Sequence, residues 1–306
     1  MNAINQKELG LYQKFNVTRT DGKDAPGEKH YGDEYFVLNL TTDEHVIPAL
    51  AAYAESCASE YPKLADELRG KIAGYVLEKS EYITVPQIIL PNGIVVPSFK
   101  VGKYLSSRGP MGTPVSIATA KPWVEICYHD ALDAADCNAL DLIKETQALA
   151  IAHDVANQDC NWTGGKVGEG KIFQGIHLGN VSEAQAATYE PNEAERRWHQ
   201  LSNGERIYDF AGNAYTWVFD DVQGGEKGLT TKIAADSISL TTAPYPSCEK
   251  GVGYRPDDAR DWSGDALIRG GCWCSASSAG VFYLDDGWPD YRGGSVGFRC
   301  TKPIGL

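Results

Sequence analysis

Residues 269–300 read RGGCWCSASSAGVFYLDDGWPDYRGGSVGFRC. Many positions from 272 to 295, between the flanking Arg-Gly-Gly and Gly-Phe-Arg, hold a mixture of small, polar and aromatic residues without the period of a helix or a strand. Such a mixture is hard to pack as a core. It suits a binding surface, where Tyr gives contact area at low entropic cost and Ser and Gly adapt to the partner. The stretch therefore indicates an exposed binding segment.

Several segments resemble the formylglycine-generating-enzyme type of C-type-lectin-like domain. The most specific are NGERIYDFAGNAYTWVFDD at 203–221, LIRGGCW at 267–273 and VGFRC at 296–300. Residues 97–107, 131–137 and 142–153 are similar to the opening strand and the two helices of these domains. Order and spacing agree from about residue 82 to residue 306. The resemblance implies an α+β domain that is rich in loops, with short antiparallel strands and two helices.

The resemblance implies a scaffold role for ten residues, and their chemistry suits that role. They are Gly212, Asn213, Trp217, Arg269, Gly270, Gly271, Trp273, Gly297, Phe298 and Arg299. The glycines suit tight turns, and the aromatic side chains supply the apolar area that a loop-rich core requires. We expect the two arginines to bond loop carbonyls or carboxylates, with contact to a ligand as the alternative.

Residues 269–300 are most similar to a non-catalytic branch, the variable proteins of diversity-generating retroelements, which include phage tropism determinants. In that branch, adenine-directed mutagenesis of AAC codons yields Tyr, Asp, Ser, Cys, Gly or Ala at surface positions. The corresponding positions here hold such residues except Trp288, whose codon would derive from AAG or be fixed. The implied ligand-binding positions are Cys272, Cys274, Ser275, Ser277, Ser278, Tyr283, Asp285, Asp286, Gly287, Trp288, Asp290, Tyr291, Gly293, Gly294 and Ser295.

The implied function is that of a display protein without catalytic activity, which binds a protein or glycan receptor on a cell surface. The oxidases of the wider family carry two cysteines separated by four residues, whereas Cys272 and Cys274 are separated by one. Two alternatives stay open. One is a structural component of a virion or prophage. The other, less favoured, is an oxidase with a soft metal such as Cu(I) on Cys272 and Cys274.

Net charge, the lengths of apolar runs and the cysteines restrict the kinds of partner and the cellular compartment that the chain could have. The net charge of -13 argues against binding to nucleic acid or to an anionic membrane surface, and no apolar run is long enough for membrane insertion. Residues 1–17 lack the apolar region of a signal peptide, which predicts synthesis in the cytoplasm. The resemblance to phage tropism determinants implies association with a virion. The eight scattered cysteines are expected to be buried, reduced thiols. No cofactor is expected, although Ca²⁺ or Mg²⁺ near Asn213 and Asp220 stays open.

The sequence pattern changes after residue 80, from helical spacing to short β-rich runs. This change predicts a small α/β domain at 1–80 and a larger domain at 81–306, with the variable region at about 265–300. In the small domain we predict a strand at 35–40, a helix start at 42–44 and two helices separated by Pro62. This domain would attach the larger one to a phage tail or another carrier. In the larger domain we predict a hairpin around Pro91-Asn92-Gly93 and a charged helical segment at 190–201.

Overall fold

The computed structural model describes residues 14–40, 43 and 45–304. The chain forms two compact units, Met1–Ala65 and Asp66–Leu306. Their boundary falls inside helix α2, Pro62–Lys79, whereas the predicted boundary follows the end of that helix. No helix in the described part of the chain is long and apolar enough to cross a membrane.

The first unit contains helix α1, Val46–Cys57, and the start of α2. Pro62 is the first residue of α2, where its missing N–H leaves no hydrogen bond unmade, so the predicted division is confirmed. The predicted strand at 35–40 is wrong. Phe36 there is 76% exposed, and the described residues of this unit contain no strand with which the segment could pair. Thr42 and Glu44 of the predicted helix start lie outside the described residues.

The second unit is built on two four-stranded sheets of short strands. The first has the order β1 (Tyr82–Val85), β4 (Phe99–Gly102), β16 (Cys300–Lys302) and β7 (Asp141–Leu142), and all its pairs are antiparallel. The second has the order β14 (Leu284–Gly287), β13 (Ala266–Arg269), β10 (Tyr215–Val218) and β15 (Val296–Phe298). In the second sheet only β10 and β15 pair in parallel, with Trp217 opposite Phe298.

Four two-stranded ribbons complete the strands of this unit. They are β2 (Ile88–Ile89) with β3 (Val95–Val96), β5 (Ser107–Arg108) with β6 (Pro114–Val115), β8 (Trp198–Gln200) with β9 (Arg206–Tyr208), and β11 (Lys232–Ile233) with β12 (Arg260–Asp261). The ribbon of β2 and β3 confirms the hairpin predicted around residues 91–93.

Three further helices pack with the sheets: α3 (Tyr128–Asp136), α4 (Glu145–Ala156) and the single turn α5 (Ile238–Thr241). One part of the core surrounds α4 and includes Leu149 and Phe282. Another surrounds α3 and includes Tyr128, Trp217 and Phe298. Few helices and short, mainly antiparallel strands confirm the predicted α+β class.

Two sequence predictions for this unit need correction. Residues 190–201 do not form a helix, because only Glu193–Glu195 makes a 3₁₀ turn and the chain then enters β8. A long-range ion pair explains the difference: buried Arg197 bonds both carboxylate oxygens of Asp209. The eight cysteines are free thiols as expected, but only Cys127, Cys272 and Cys300 are buried.

Candidate binding surface

Two consecutive glycines set the backbone that leads into the predicted binding segment, residues 272–295. Gly270 and Gly271 have φ values of +91° and +84°, in the left-handed region that favours glycine. A Cβ atom on Gly271 would lie 2.8 Å from the Cα atom of Ala279, which leaves no room for a side chain. The carbonyl of Gly270 also accepts hydrogen bonds from the amides of Gly212 and Gly280, at 3.0 and 3.1 Å. Gly270 therefore joins the chain between β9 and β10, at Gly212, to the chain at Gly280.

The two scaffold arginines are buried and bonded within the protein. Arg269 pairs with the carboxylate of Glu145, and Arg299 donates to the carbonyls of Gly102, Tyr208 and Asp209 at 2.5, 2.6 and 3.2 Å. Burial lowers the pKa of Arg299 to about 10, although the nearby Asp209 carboxylate opposes this change. With their guanidinium groups enclosed, both residues serve the scaffold and are out of reach of an outside partner.

Among the other scaffold residues, two aromatic side chains lie in the core around α3. Trp217 and Phe298 are fully buried, and the indole of Trp217 donates to the carbonyl of Ile126 at 2.9 Å. Asn213, with φ of 65°, exchanges hydrogen bonds with the backbone of Gln185 at 2.8 and 3.0 Å. Trp273 is half-buried, and the amide of Gly297 lies in the middle of β15.

The fifteen predicted ligand-binding residues divide by exposure. Cys272, Tyr283 and Gly293 are buried, which departs from the expectation of an exposed patch at these three positions. Cys272 Sγ accepts from the hydroxyl of Ser275 at 3.4 Å, and the ring of Tyr283 packs against that of Tyr215. The carbonyl of Gly293 accepts from the amide of Glu125 at 3.0 Å. The exposed or half-buried positions are Cys274, Ser275, Ser277, Ser278, Asp285, Asp286, Gly287, Trp288, Asp290, Tyr291, Gly294 and Ser295.

The first half of the segment is a compact turn that ends in a 3₁₀ helix, Ala276–Ser278. The hydroxyl of Ser275 accepts from the amide of Cys272 at 2.8 Å and lies 3.0 Å from the hydroxyl of Tyr215. The ring of Tyr215 in turn lies 5.3 Å from the ring of Tyr283. Backbone, hydroxyl and ring contacts thus hold this turn on strand β10.

The second half, between β14 and β15, holds its backbone inward and its largest side chains outward. The carbonyls of Pro289 and Ser295 accept hydrogen bonds from the amides of Tyr128 and Tyr215, at 2.9 and 2.8 Å. Trp288 and Tyr291 are 77% and 54% exposed. Large exposed aromatic side chains on a fixed backbone are typical of binding surfaces.

Two carboxylates, Asp285 and Asp286, lie side by side in strand β14, between the two halves of the segment. Burial, followed by repulsion from Asp285, raises the pKa of Asp286 to about 6, and a hydrogen bond with Asp265 adds to the effect. The hydroxyl of Tyr283 donates to Asp285 at 3.1 Å. Burial also raises the pKa of Tyr283. The tyrosine therefore stays neutral and keeps its proton for this hydrogen bond.

The two cysteines of the segment face one another, with 3.3 Å between their sulfur atoms. Burial and the Cys272 thiol raise the pKa of Cys274 to about 11, so its thiol is protonated at neutral pH. Thiols bind metals as thiolates, which this environment disfavours. In the described part of the chain, no group of three or more His, Cys, Asp or Glu side chains is placed to hold a metal ion.

The oxygen atoms considered for Ca²⁺ or Mg²⁺ are already hydrogen-bonded. Asn213 Oδ1 accepts from the amide of Gln185, and Asp220 Oδ1 accepts from the amides of Val222 and Gln223, both at 3.0 Å. Asn213 and Asp220 are both buried, and these hydrogen bonds hold the neighbouring loops in place.

One loop that adjoins the segment, residues 175–180, is not marked by any motif in the sequence. His177 and Gly179 exchange backbone hydrogen bonds with the turn at Trp273 and Ala276, and Glu195 bonds the far side of the loop. Glu195 lies within the stretch predicted to be helical, where a glutamate is expected to face solvent. Its sequence context contains no signal of burial, so only the folded chain identifies it.

No protein-family model matches this chain, and no curated protein matches its sequence. Among solved structures, variable protein 1 of Treponema denticola is 14% identical, with a TM-score of 0.42 over 72% of this chain and 94% of that chain. PvdO from Pseudomonas aeruginosa is 14% identical, with a TM-score of 0.36 over 74% of this chain and 95% of that one. The Major Tropism Determinant P3c variant is 13% identical, with a TM-score of 0.33 over 71% of this chain and 52% of that one.

Identities and TM-scores this low establish no shared activity or ligand.

Proposed function

We propose that this chain is a display protein without catalytic activity, and that residues 272–295 bind a protein or glycan receptor on a cell surface. One observation carries the proposal. The backbone of the segment is bonded to buried scaffold residues, while twelve of its fifteen predicted positions, all but the three buried ones, are exposed or half-buried. Gly287 is an exception among the twelve, because a Cβ atom there would lie 2.9 Å from the ring of the buried Trp217. At the other positions side chains can change with little disturbance of the core, as a diversified surface requires.

A diversity-generating retroelement would supply that change. The test is to sequence the DNA that flanks the gene in several isolates of its source. We expect a near-copy of codons 265–300 with adenines at the predicted positions, beside a reverse-transcriptase gene, and differences between isolates confined to those positions. Identical residues 272–295 in every isolate, with no such copy nearby, would contradict the proposal.

We propose that the chain is made in the cytoplasm and is carried on a phage tail or another particle through residues 1–80. A purely structural component of the particle makes a different prediction from a receptor-binding one. Replacing residues 272–295 by those of a second isolate should change which cells the purified chain binds, without changing its unfolding midpoint. An unchanged choice of cells would favour the structural role.

The short distance between the sulfur atoms of Cys272 and Cys274 favours a second candidate function, a soft-metal site in an oxidase. Two sulfur atoms can hold Cu(I) in a two-coordinate site, although the raised pKa of Cys274 opposes it. Titration of the protein with Cu(I), with the double variant Cys272→Ser/Cys274→Ser as control, separates the two functions. Equal affinity in both proteins excludes the metal site, and tight binding only in the native chain supports it.

A further inference from the structure

Two backbone hydrogen bonds join the proposed binding segment to residues 175–180. The amide of Ala276 donates to the carbonyl of His177 at 2.8 Å, and the amide of Gly179 donates to the carbonyl of Trp273 at 2.9 Å. Because neither bond uses a side chain of the segment, both persist whichever side chains occupy its variable positions. The loop at 175–180 is therefore a constant neighbour of the turn.

Glu195 holds this constant loop from its other side. Its side chain is buried, at 1% exposure, and Oε1 accepts from the amides of His177 and Leu178, both at 2.8 Å. Oε2 accepts from the side-chain amides of Asn180 at 3.0 Å and Asn192 at 2.9 Å. In the described part of the chain, the carboxylate forms no salt bridge, so four neutral donors stabilise its charge.

The pKa of Glu195 determines whether its carboxylate carries a charge at neutral pH. Burial acts to raise the pKa of Glu195, but the hydrogen bonds from Leu178, Asn180 and His177 outweigh it, and the pKa is lowered overall. The carboxylate is therefore charged at neutral pH, and hydrogen bonds to a charged acceptor are stronger than neutral ones.

We propose that Glu195 is a positioning residue of the binding surface: it fixes residues 177–180, and these fix the backbone of the turn at 273–276. The meaning of this role rests on the proposed function. A fixed anchor outside the variable positions lets the side chains of the turn change while their backbone keeps its place. Glu195 thus contributes to binding without touching the receptor.

Hydrogen exchange on the full chain tests the role of Glu195. Glu195→Gln keeps the size of the side chain but replaces one acceptor oxygen by an amide that donates. The matched control is Glu193→Gln, because Glu193 lies in the same 3₁₀ turn and is exposed. We expect the amides of Gly179 and Ala276 to exchange about tenfold faster or more in Glu195→Gln, as loss of a charged hydrogen bond predicts, and to be unchanged in the control.

Exchange in the strands β1 and β4 should not change, which distinguishes local release of the turn from general loss of stability. Unchanged exchange at Ala276 in Glu195→Gln would overturn the proposal. If that variant does not fold, Asn180→Ala removes one of the four donors, and unchanged exchange at both Gly179 and Ala276 in it would equally overturn the proposal. Because these measurements need no receptor, their failure leaves the proposed function standing, and invariant residues 272–295 would refute that function alone.

Discussion

The side chains of Glu145 and Arg269, 124 residues apart in the chain, form a buried ion pair. Arg269 Nε donates to Glu145 Oε2 at 2.7 Å, and Nη1 donates to the carbonyls of Phe282 and Tyr283, both at 3.3 Å. Glu145 is the first residue of α4, where a negative charge interacts favourably with the helix dipole. One arginine thus ties α4 and β13 to the middle of the binding segment.

Breaking this pair should destabilise the protein strongly. In Arg269→Ala the carboxylate of Glu145 stays buried without a partner, which costs about 3–5 kcal/mol of the free energy of unfolding. Urea denaturation measures the loss. The control is Lys121→Ala, because the pair of Lys121 with Glu183 has side chains 57% and 61% exposed. Exposed pairs contribute about 0–1 kcal/mol, so equal effects of the two substitutions would contradict the prediction.

Gly271, just before the binding segment, and Gly294, within it, should respond in opposite ways to alanine. Gly271→Ala strains a φ of +84° and brings Cβ into the backbone of Ala279, so we expect a loss of more than about 1 kcal/mol. No atom lies within 4 Å of a Cβ built on Gly294, and its φ is not left-handed. Gly294→Ala should therefore be neutral or stabilise by up to about 1 kcal/mol. Thermal unfolding of both variants measures the contrast, and an unchanged unfolding midpoint in Gly271→Ala would contradict the prediction.

A surface built for diversification should accept substitution of even its largest side chains. We expect Trp288→Ser and Tyr291→Ser, which introduce another residue of the AAC-derived set, to change the free energy of unfolding by less than about 0.5 kcal/mol. Trp217→Ala, by contrast, empties a fully buried site and should cost about 3–5 kcal/mol. Urea unfolding of the three variants compares them. A large loss in Trp288→Ser would mean that this side chain is part of the scaffold.

Local chemistry explains which parts of the fold the sequence could predict. Pro62 starts a helix because its ring fixes its own φ, and Pro91-Asn92-Gly93 closes a hairpin because Gly93 readily adopts its φ of +87°. The errors at 35–40 and 190–201 have a different origin. A strand needs a partner elsewhere in the chain, and residues 198–200 become β8 because they pair with β9 beside the buried pair of Arg197 and Asp209.

The binding surface, like the fold, could be predicted from the sequence only where local composition decides the structure. The composition of residues 272–295 indicated exposure, and most of these side chains are exposed or half-buried. Burial of Cys272 and Tyr283 depends on packing against Tyr215, which no local pattern encodes. Glu195 was missed for the same reason, because three of its four donors lie in the loop at 177–180, distant in sequence, and only Asn192 is a near neighbour.

The buried imidazole of His199 predicts how stability depends on pH. Its Nε2 lies 2.7 Å from the carbonyl of Phe173, and its Nδ1 has no hydrogen-bond partner among the described residues. Burial lowers the pKa of His199 to about 4 from the ordinary 6.5. Between these values the unfolded chain binds the proton and the folded chain does not. The contribution of His199 is therefore fully present above about pH 6.5 and is lost as the pH falls towards 4.

His199→Gln isolates this contribution, because glutamine can still donate to the Phe173 carbonyl and does not titrate. Comparison of variant and native protein is needed, since His153 has the same lowered pKa of about 4 and Asp286, with its raised pKa of about 6, acts in the opposite direction. From about pH 7 to about pH 4.5, we expect the native protein to lose about 2–3 kcal/mol more stability than the variant. Urea midpoints at both pH values measure this difference. Parallel losses in the two proteins would mean that His199 takes up its proton without unfolding.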